Sequence, residues 1–139
     1  ARLILIGTSF SHEVIPKASK DFLTGTQWPA EMDRTQFPGK YLKDYLKGGR
    51  KMADYQRWFD KLALMWTTSP TYTPADLAAV KIPTLVIGGD HEDVPLGHIT
   101  ALYEALPDAQ LCIVPGASHF LHTEKPHLLQ QVISTFLDR

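Results

Sequence analysis

The segment Ile82–Pro95, IPTLVIGGDHEDVP, constrains the fold of this chain more than any other. Pro83 has no backbone donor and ends any helix that precedes it. Thr84 to Ile87 is a short apolar run rich in β-branched residues, and Gly88-Gly89 follow it. A fully apolar run bounded by turn residues predicts a strand buried on both faces of a parallel sheet. The glycines predict where that strand breaks, and Asp90, His91, Glu92 and Asp93 crowd onto the turn behind it. A second stretch, Leu111–Phe120 (LCIVPGASHF), repeats the pattern: an apolar strand, a Pro-Gly turn, then His119. In open α/β sheets, chemistry gathers at the carboxyl ends of the strands. Two neighbouring strand ends therefore offer an acid and an imidazole.

The rest of the chain supplies one more strand and several helices. Leu3–Ile6 is a continuous apolar run closed by Gly7, which predicts a third buried strand, and the polar turn Gly7–Ser11 leaves the sheet. From about His12 to Ala79 no strand pattern appears. Pro16 opens a short predicted helix to Leu23; Trp28, Pro29, Phe37, Pro38 and Gly39 mark an irregular connection; Tyr41–Leu46 reads as a turn or two of amphipathic helix. Lys51–Trp66 carries the clearest helical pattern, with Tyr55, Phe59, Leu62 and Trp66 at spacings of three and four and Trp58 and Met65 widening the stripe. Thr73 and Pro74 form an N-cap and first position of a further short helix. Leu96–Leu106 predicts a helix, Leu111–Val114 the third strand in chain order, and a final helix opens near Glu124 with Pro126 in its first turn. The expected fold class is α/β, a small parallel sheet with helical crossovers. It divides into a core strand and turn (1–11), a helical cap segment (12–80) and a C-terminal core part (81–139).

Composition narrows the function. The 139 residues are 44% hydrophobic, enough for a core, and their net charge of −1 gives no attraction to nucleic acid or to an anionic membrane. The single cysteine, Cys112, lies in an apolar strand, where it has no internal disulfide partner and reads as an inert thiol. No apolar run reaches membrane-spanning length, and the N-terminal LILI is too short for a signal segment, so a cytoplasmic setting is expected. The chain begins with a strand and no initiator Met, which reads as a piece of a longer protein.

At the two strand ends the chain resembles the α/β-hydrolases. The shared pattern is a strand, G-D-x-[acid] at Gly89–Glu92, a helix, a strand, P-G-x-[small]-H-F at Pro115–Phe120, and a last helix. The resemblance implies that an acid and a histidine here are the last two members of a Ser–acid–His triad. His119 matches the histidine. Glu92, third after Gly89, matches the acid position, although Asp is commoner there. Asp93 is its rival, because Val94-Pro95 echo the residues that follow the acid in the family. Asp90 fits better as a turn residue bonding backbone N–H groups. The family's nucleophile sits in an earlier G-x-S-x-G elbow, and these residues contain no such motif. The likeness thus covers nearly all of this chain and about the C-terminal half of the family's domain, with the segment 12–80 in the place of a cap. It implies a parent enzyme that hydrolyses a carboxylic ester or related acyl bond in a small-molecule substrate, without a cofactor. It also implies that this chain alone is inactive.

Other readings of the same residues are weaker. His119, His122, Glu124 and His127, with His91 opposite, are possible metal ligands, but no H-E-x-x-H helix motif accompanies them. His12 and His98 read as surface or satisfied residues. Ser9, Ser11 and Ser118 lie near strand ends without an elbow and read as turn residues. Gly88-Gly89 is followed by acids and no lysine, which opposes a phosphate loop. Trp28, Phe37, Trp58, Phe59 and Trp66 either pack as core or line an apolar pocket. A non-catalytic ligand-binding module of hydrolase type and a flavodoxin-like nucleotide or cofactor binder remain alternatives. Finally, the strand Leu3–Ile6 is expected to lack a neighbour on one side, which predicts self-association or pairing with the missing half of the domain.

Overall fold

The computed structural model describes residues 1–17, 20, 21, 46, 47 and 49–138. The expected helix at Pro16–Leu23, the turns at Tyr41–Leu46, and Trp28 and Phe37 fall wholly or largely outside the described residues. The chain forms two compact units, Ile15–Ser69 and the remainder, Ala1–Val14 with Pro70–Arg139.

The larger unit is built on three parallel strands in the order β1 (Leu3–Ile6), β2 (Thr84–His91) and β3 (Ala109–Ser118). Leu3 lies beside Thr84, and Thr84 beside Ala109. Alternate side chains of β2 enter opposite faces, as strand geometry requires. Leu85 and Ile87 join Ile4, Ile6, Val114 and Ala117 on one face. That face is covered by helices α4 (Leu121–Glu124) and α5 (Pro126–Leu137) through Leu121, Leu129 and Phe136. Val86 and Leu5 point the other way, under helices α2 (Pro74–Ala78) and α3 (Leu96–Ala105) through Leu77, Ile99 and Leu102. A sheet sandwiched in this way explains the unbroken apolar run of β2, because neither face meets water.

Helix α1 (Met52–Thr68) belongs to the smaller unit. Tyr55, Phe59 and Ala63 are its buried residues, whereas Trp58 and Met65, expected to widen the apolar stripe, are exposed. Helix α2 begins as its sequence predicts: Thr73 accepts from Asp76 N–H, Asp76 accepts from Thr73 N–H, and Pro74 occupies the first turn. The final helix differs from expectation. It starts at Pro126, and Leu121–Glu124 forms a separate turn of helix before it. Lys125, at φ −132°, breaks the two apart, because the residue before a proline is disfavoured in helical backbone.

Both sheet strands that carry chemistry run further than predicted. Gly88 and Gly89 continue the β2 ladder, opposite Ile113 and Val114, and pairing resumes at His91 and Ser118 after a register shift. Two residues more lie on β3 than on β2 across that shift, so Pro115-Gly116 bulge and Ala117 folds back over Gly89. A Cβ at Gly89 would lie 1.9 Å from the Ala117 carbonyl oxygen. Only glycine permits this approach, which is why a Gly-Gly that reads as a strand break is a strand here.

The chain leaves and re-enters this unit at one place. Tyr72 N–H donates to the Phe10 carbonyl (3.0 Å), His12 N–H donates to the Pro70 carbonyl (2.8 Å), and Ser11 and Thr71 form an antiparallel bridge.

Candidate active site

The turn after β2 and the loop at the end of β3 meet at the carboxyl edge of the sheet. There His119 Nδ1–H donates to Glu92 Oε2 at 2.9 Å. The Glu92 side chain is only 1% exposed, while the His119 side chain is 44% exposed. A buried carboxylate thus holds one ring nitrogen and leaves the ring itself open to solvent. Asp93, its sequence rival, is exposed. The second oxygen of the pair's acid, Glu92 Oε1, is buried without a hydrogen-bond partner among the described residues. An unmet buried acceptor costs about 1–3 kcal/mol, a cost that the described residues do not offset.

The loop that carries His119 is held by two further carboxylates. Asp90 Oδ1 accepts from Ala117 N–H at 3.2 Å. It therefore fastens the neighbouring loop, where its sequence position suggested a cap for its own turn. Burial pushes the Asp90 carboxyl up, but backbone N–H groups of Ala117 and Gly116 and the nearby His91 outweigh it and leave it below its ordinary value. Glu124, in α4, accepts from Ser118 Oγ–H at 2.6 Å and from Ser118 N–H at 2.8 Å. These two bonds, the hydroxyl first, with smaller help from Lys125 and His122, lower its carboxyl below the ordinary value against a small burial penalty. Ser118 Oγ also accepts from Phe120 N–H at 3.1 Å. Consecutive residues of the loop, Ala117, Ser118 and His119, are thereby held by three different acids.

Glu124 is a positioning residue that sequence reasoning does not single out: both its oxygens are spent on Ser118. The signal available was its position, six residues past Ser118 on the first turn after the loop. Of the serines, Ser118 is committed to this clamp. Ser9 Oγ donates to the Ser11 carbonyl at 2.6 Å and lies 3.1 Å from His98 Nε2, so its histidine neighbour is not His119. His98 Nε2 also accepts from Phe10 N–H (3.2 Å), and the two rings stack with centroids 3.9 Å apart. Burial pushes the His98 imidazole down, which favours the neutral form that this bond requires. Cys112 is half-buried, and burial pushes its thiol up, away from reactivity. No helix among the described residues is long and apolar enough to cross a membrane.

A parallel sheet with helices on both faces, bearing a buried acid and an open imidazole on adjacent strand ends, defines an α/β protein with an acid–base pair at its carboxyl edge. The chain belongs to the α/β-hydrolase family, whose model matches residues 4–131. It is 31% identical over 58 residues to a Bacillus subtilis protein provisionally named 2-succinyl-6-hydroxy-2,4-cyclohexadiene-1-carboxylate synthase, a match covering 42% of this chain and 21% of that one. Its fold is similar to the meta-cleavage product hydrolase of Pseudomonas fluorescens (TM-score 0.71, 17% identity, 99% of this chain and 55% of that one). It is likewise similar to a thermophilic esterase of Thermogutta terrifontis (TM-score 0.60, 20% identity, 99% and 55%). The chain therefore spans little more than half the length of these solved structures, and a smaller share of the Bacillus protein.

Proposed function

We propose that this chain carries the acid and the base of a Ser–acid–His hydrolase acting on a carboxylic ester or related acyl bond. The observation that carries the reading is the 2.9 Å bond from His119 Nδ1–H to the buried Glu92. That bond fixes the tautomer, so the lone pair lies on Nε2 and is available to take a proton. A serine hydroxyl supplied by polypeptide outside these residues would give Nε2 its proton while its oxygen bonds the acyl carbon. Glu92 stabilises the imidazolium, which returns the proton to the leaving alcohol. Water then repeats the exchange, and the acyl–oxygen bond to serine breaks. The names of the hydrolase and esterase relatives support the reaction class.

The open edge of β1 is where we place the partner. Leu3 N–H donates to the Pro83 carbonyl and Gly7 N–H to that of Ile87, so odd-numbered residues face β2. By strand alternation, the N–H and C=O of Ile4 and Ile6 face away, on a side with no neighbouring strand among the described residues. Such an edge templates pairing, either with an elbow-bearing half of the same domain or with a second copy.

The test is hydrolysis of an activated ester by the purified chain, alone and after co-expression with an elbow-bearing N-terminal half from the family. The expected result is no turnover by the chain alone and turnover by the pair that disappears on His119→Ala. Turnover by the chain alone that His119→Ala abolishes would overturn the assignment of the nucleophile to other residues. A complemented pair indifferent to His119→Ala would overturn the role of the histidine.

A further inference from the structure

We propose that Gly7, at the end of β1, is a positioning residue for the Glu92–His119 pair: the acid and the imidazole rest directly on its bare Cα. The inference builds on the pair's proposed role, but what it asserts is geometric.

Gly7 has φ +56°, a backbone region that side chains rarely adopt. That alone would explain a glycine at a turn. The surroundings add something separate. A Cβ built at Gly7 would lie 2.9 Å from Glu92 Oε1, 3.0 Å from His119 Nδ1 and 3.2 Å from His119 Cε1. Its three nearest neighbours are thus all atoms of the pair, and one of them is the carboxylate oxygen that has no hydrogen-bond partner. A methyl group there must be accommodated by movement, and the backbone is the stiffer side. Gly7 N–H is tied to the Ile87 carbonyl at 2.9 Å, in continuation of the β1–β2 ladder. Glu92 cannot swing into solvent without exposing a side chain that is now 1% accessible. The part that yields is the contact between carboxylate and imidazole. Productive sites tolerate roughly 0.5 Å of misplacement, so a side chain at residue 7 spoils the pair while leaving the sheet in place. This assigns β1 a purpose beyond pairing, as the floor under the acid and the base.

Gly116 provides the control that separates this effect from backbone strain. It also has positive φ (+62°) and lies three residues before His119, yet a Cβ there meets nothing within 4 Å. The experiment compares Gly7→Ala and Gly116→Ala in the whole chain, reading the ring nitrogens of His119 by ¹⁵N NMR through its ring C–H protons at alkaline pH. The parent chain is expected to show a fixed tautomer with the proton on Nδ1. Gly116→Ala is expected to keep that pattern. Gly7→Ala is expected to lose it to the averaged pattern of a free imidazole, while the β2 and β3 amide signals persist. An unchanged pattern in Gly7→Ala, or loss in both variants, would overturn the proposal. If Gly7→Ala does not fold, the double variant with Glu92→Asp, which withdraws the carboxylate by one methylene, must recover folding; failure to do so would equally overturn it. Because the reading is of ring geometry, its outcome is independent of whether the parent enzyme hydrolyses esters.

Discussion

The histidine loop has two sides, and a glutamate grips each. On the buried side, Glu92 is almost fully enclosed and uses one oxygen, on His119, leaving the other unmet. On the solvent side, Glu124 is exposed and uses both, on the hydroxyl and the N–H of Ser118. The better-satisfied acid is exposed, and the acid with one oxygen unmatched among the described residues is enclosed. The difference teaches what each is for. Glu124 holds the loop through Ser118, a task for which an exposed and fully bonded carboxylate suffices. Glu92 holds the His119 ring, which in the proposed reaction develops charge, and burial makes that interaction stronger.

Turnover should separate the two sides most sharply. In the complemented enzyme, Glu92→Gln is expected to lower kcat by roughly 10⁴-fold, the scale seen when a triad acid becomes its amide. Glu124→Gln should cost about tenfold or less, because Asp90 holds the adjacent Ala117 N–H of the same loop. Equal losses in ester hydrolysis kinetics would erase the distinction. Next in size is assembly, since β1 floors the buried side while its other edge is open. At micromolar concentration the pure chain is expected to sediment at about twice its monomer mass, the two-fold pairing favoured among oligomers. A stable monomer with Leu3–Ile6 exposed would show that the edge is covered from within the chain.

Thermal stability should then rank the acids in the opposite order to activity. Replacing a buried, half-satisfied charge by an amide should leave Tm unchanged or slightly higher for Glu92→Gln, whereas Glu124→Gln should lower it. Calorimetry that finds Glu92→Gln lower by more than about 8 °C, on the order of 1–2 kcal/mol in a domain of this size, would mean that the buried acid is chiefly structural. The smallest effect concerns acid. Asp90 and Glu124 both titrate below their ordinary values. The unfolded chain therefore binds protons more readily than the folded one in that window. Their contribution is complete above the ordinary carboxylate range and fades as pH falls through the lowered values. Urea midpoints measured downward from pH 5 should decline, and less steeply in Glu124→Gln. Parallel curves would show that the solvent-side clamp adds nothing.

Much of this was legible in the residues. The period of Leu85, Val86 and Ile87, apolar on both faces, specified a sandwiched parallel strand, and the spacing Gly89 to Glu92 pointed to the acid that meets His119. Asp93 stayed a rival to Glu92, because which carboxylate turns inward is decided by tertiary contacts and not by local spacing. For the same reason Gly88-Gly89 read as an ending. A glycine's meaning lies in what approaches it, and the Ala117 carbonyl comes from 28 residues away in sequence. Glu124 was missed since it clamps the hydroxyl and N–H of a loop serine, a contact that leaves no motif.

The paired hydrogen bonds at residues 10–12 and 70–72 have a consequence for engineering and for descent. They hold together the two points where the chain leaves and rejoins the sheet-bearing unit, and so close the segment 15–69 like the clasp of a bracelet. A clasped insert can be exchanged for another of different length at little thermodynamic penalty, since closure entropy grows only logarithmically with loop size. The acid, the base and their glycine floor all lie outside it. Lineages could therefore trade one insert for another while inheriting the Glu92–His119 pair unchanged.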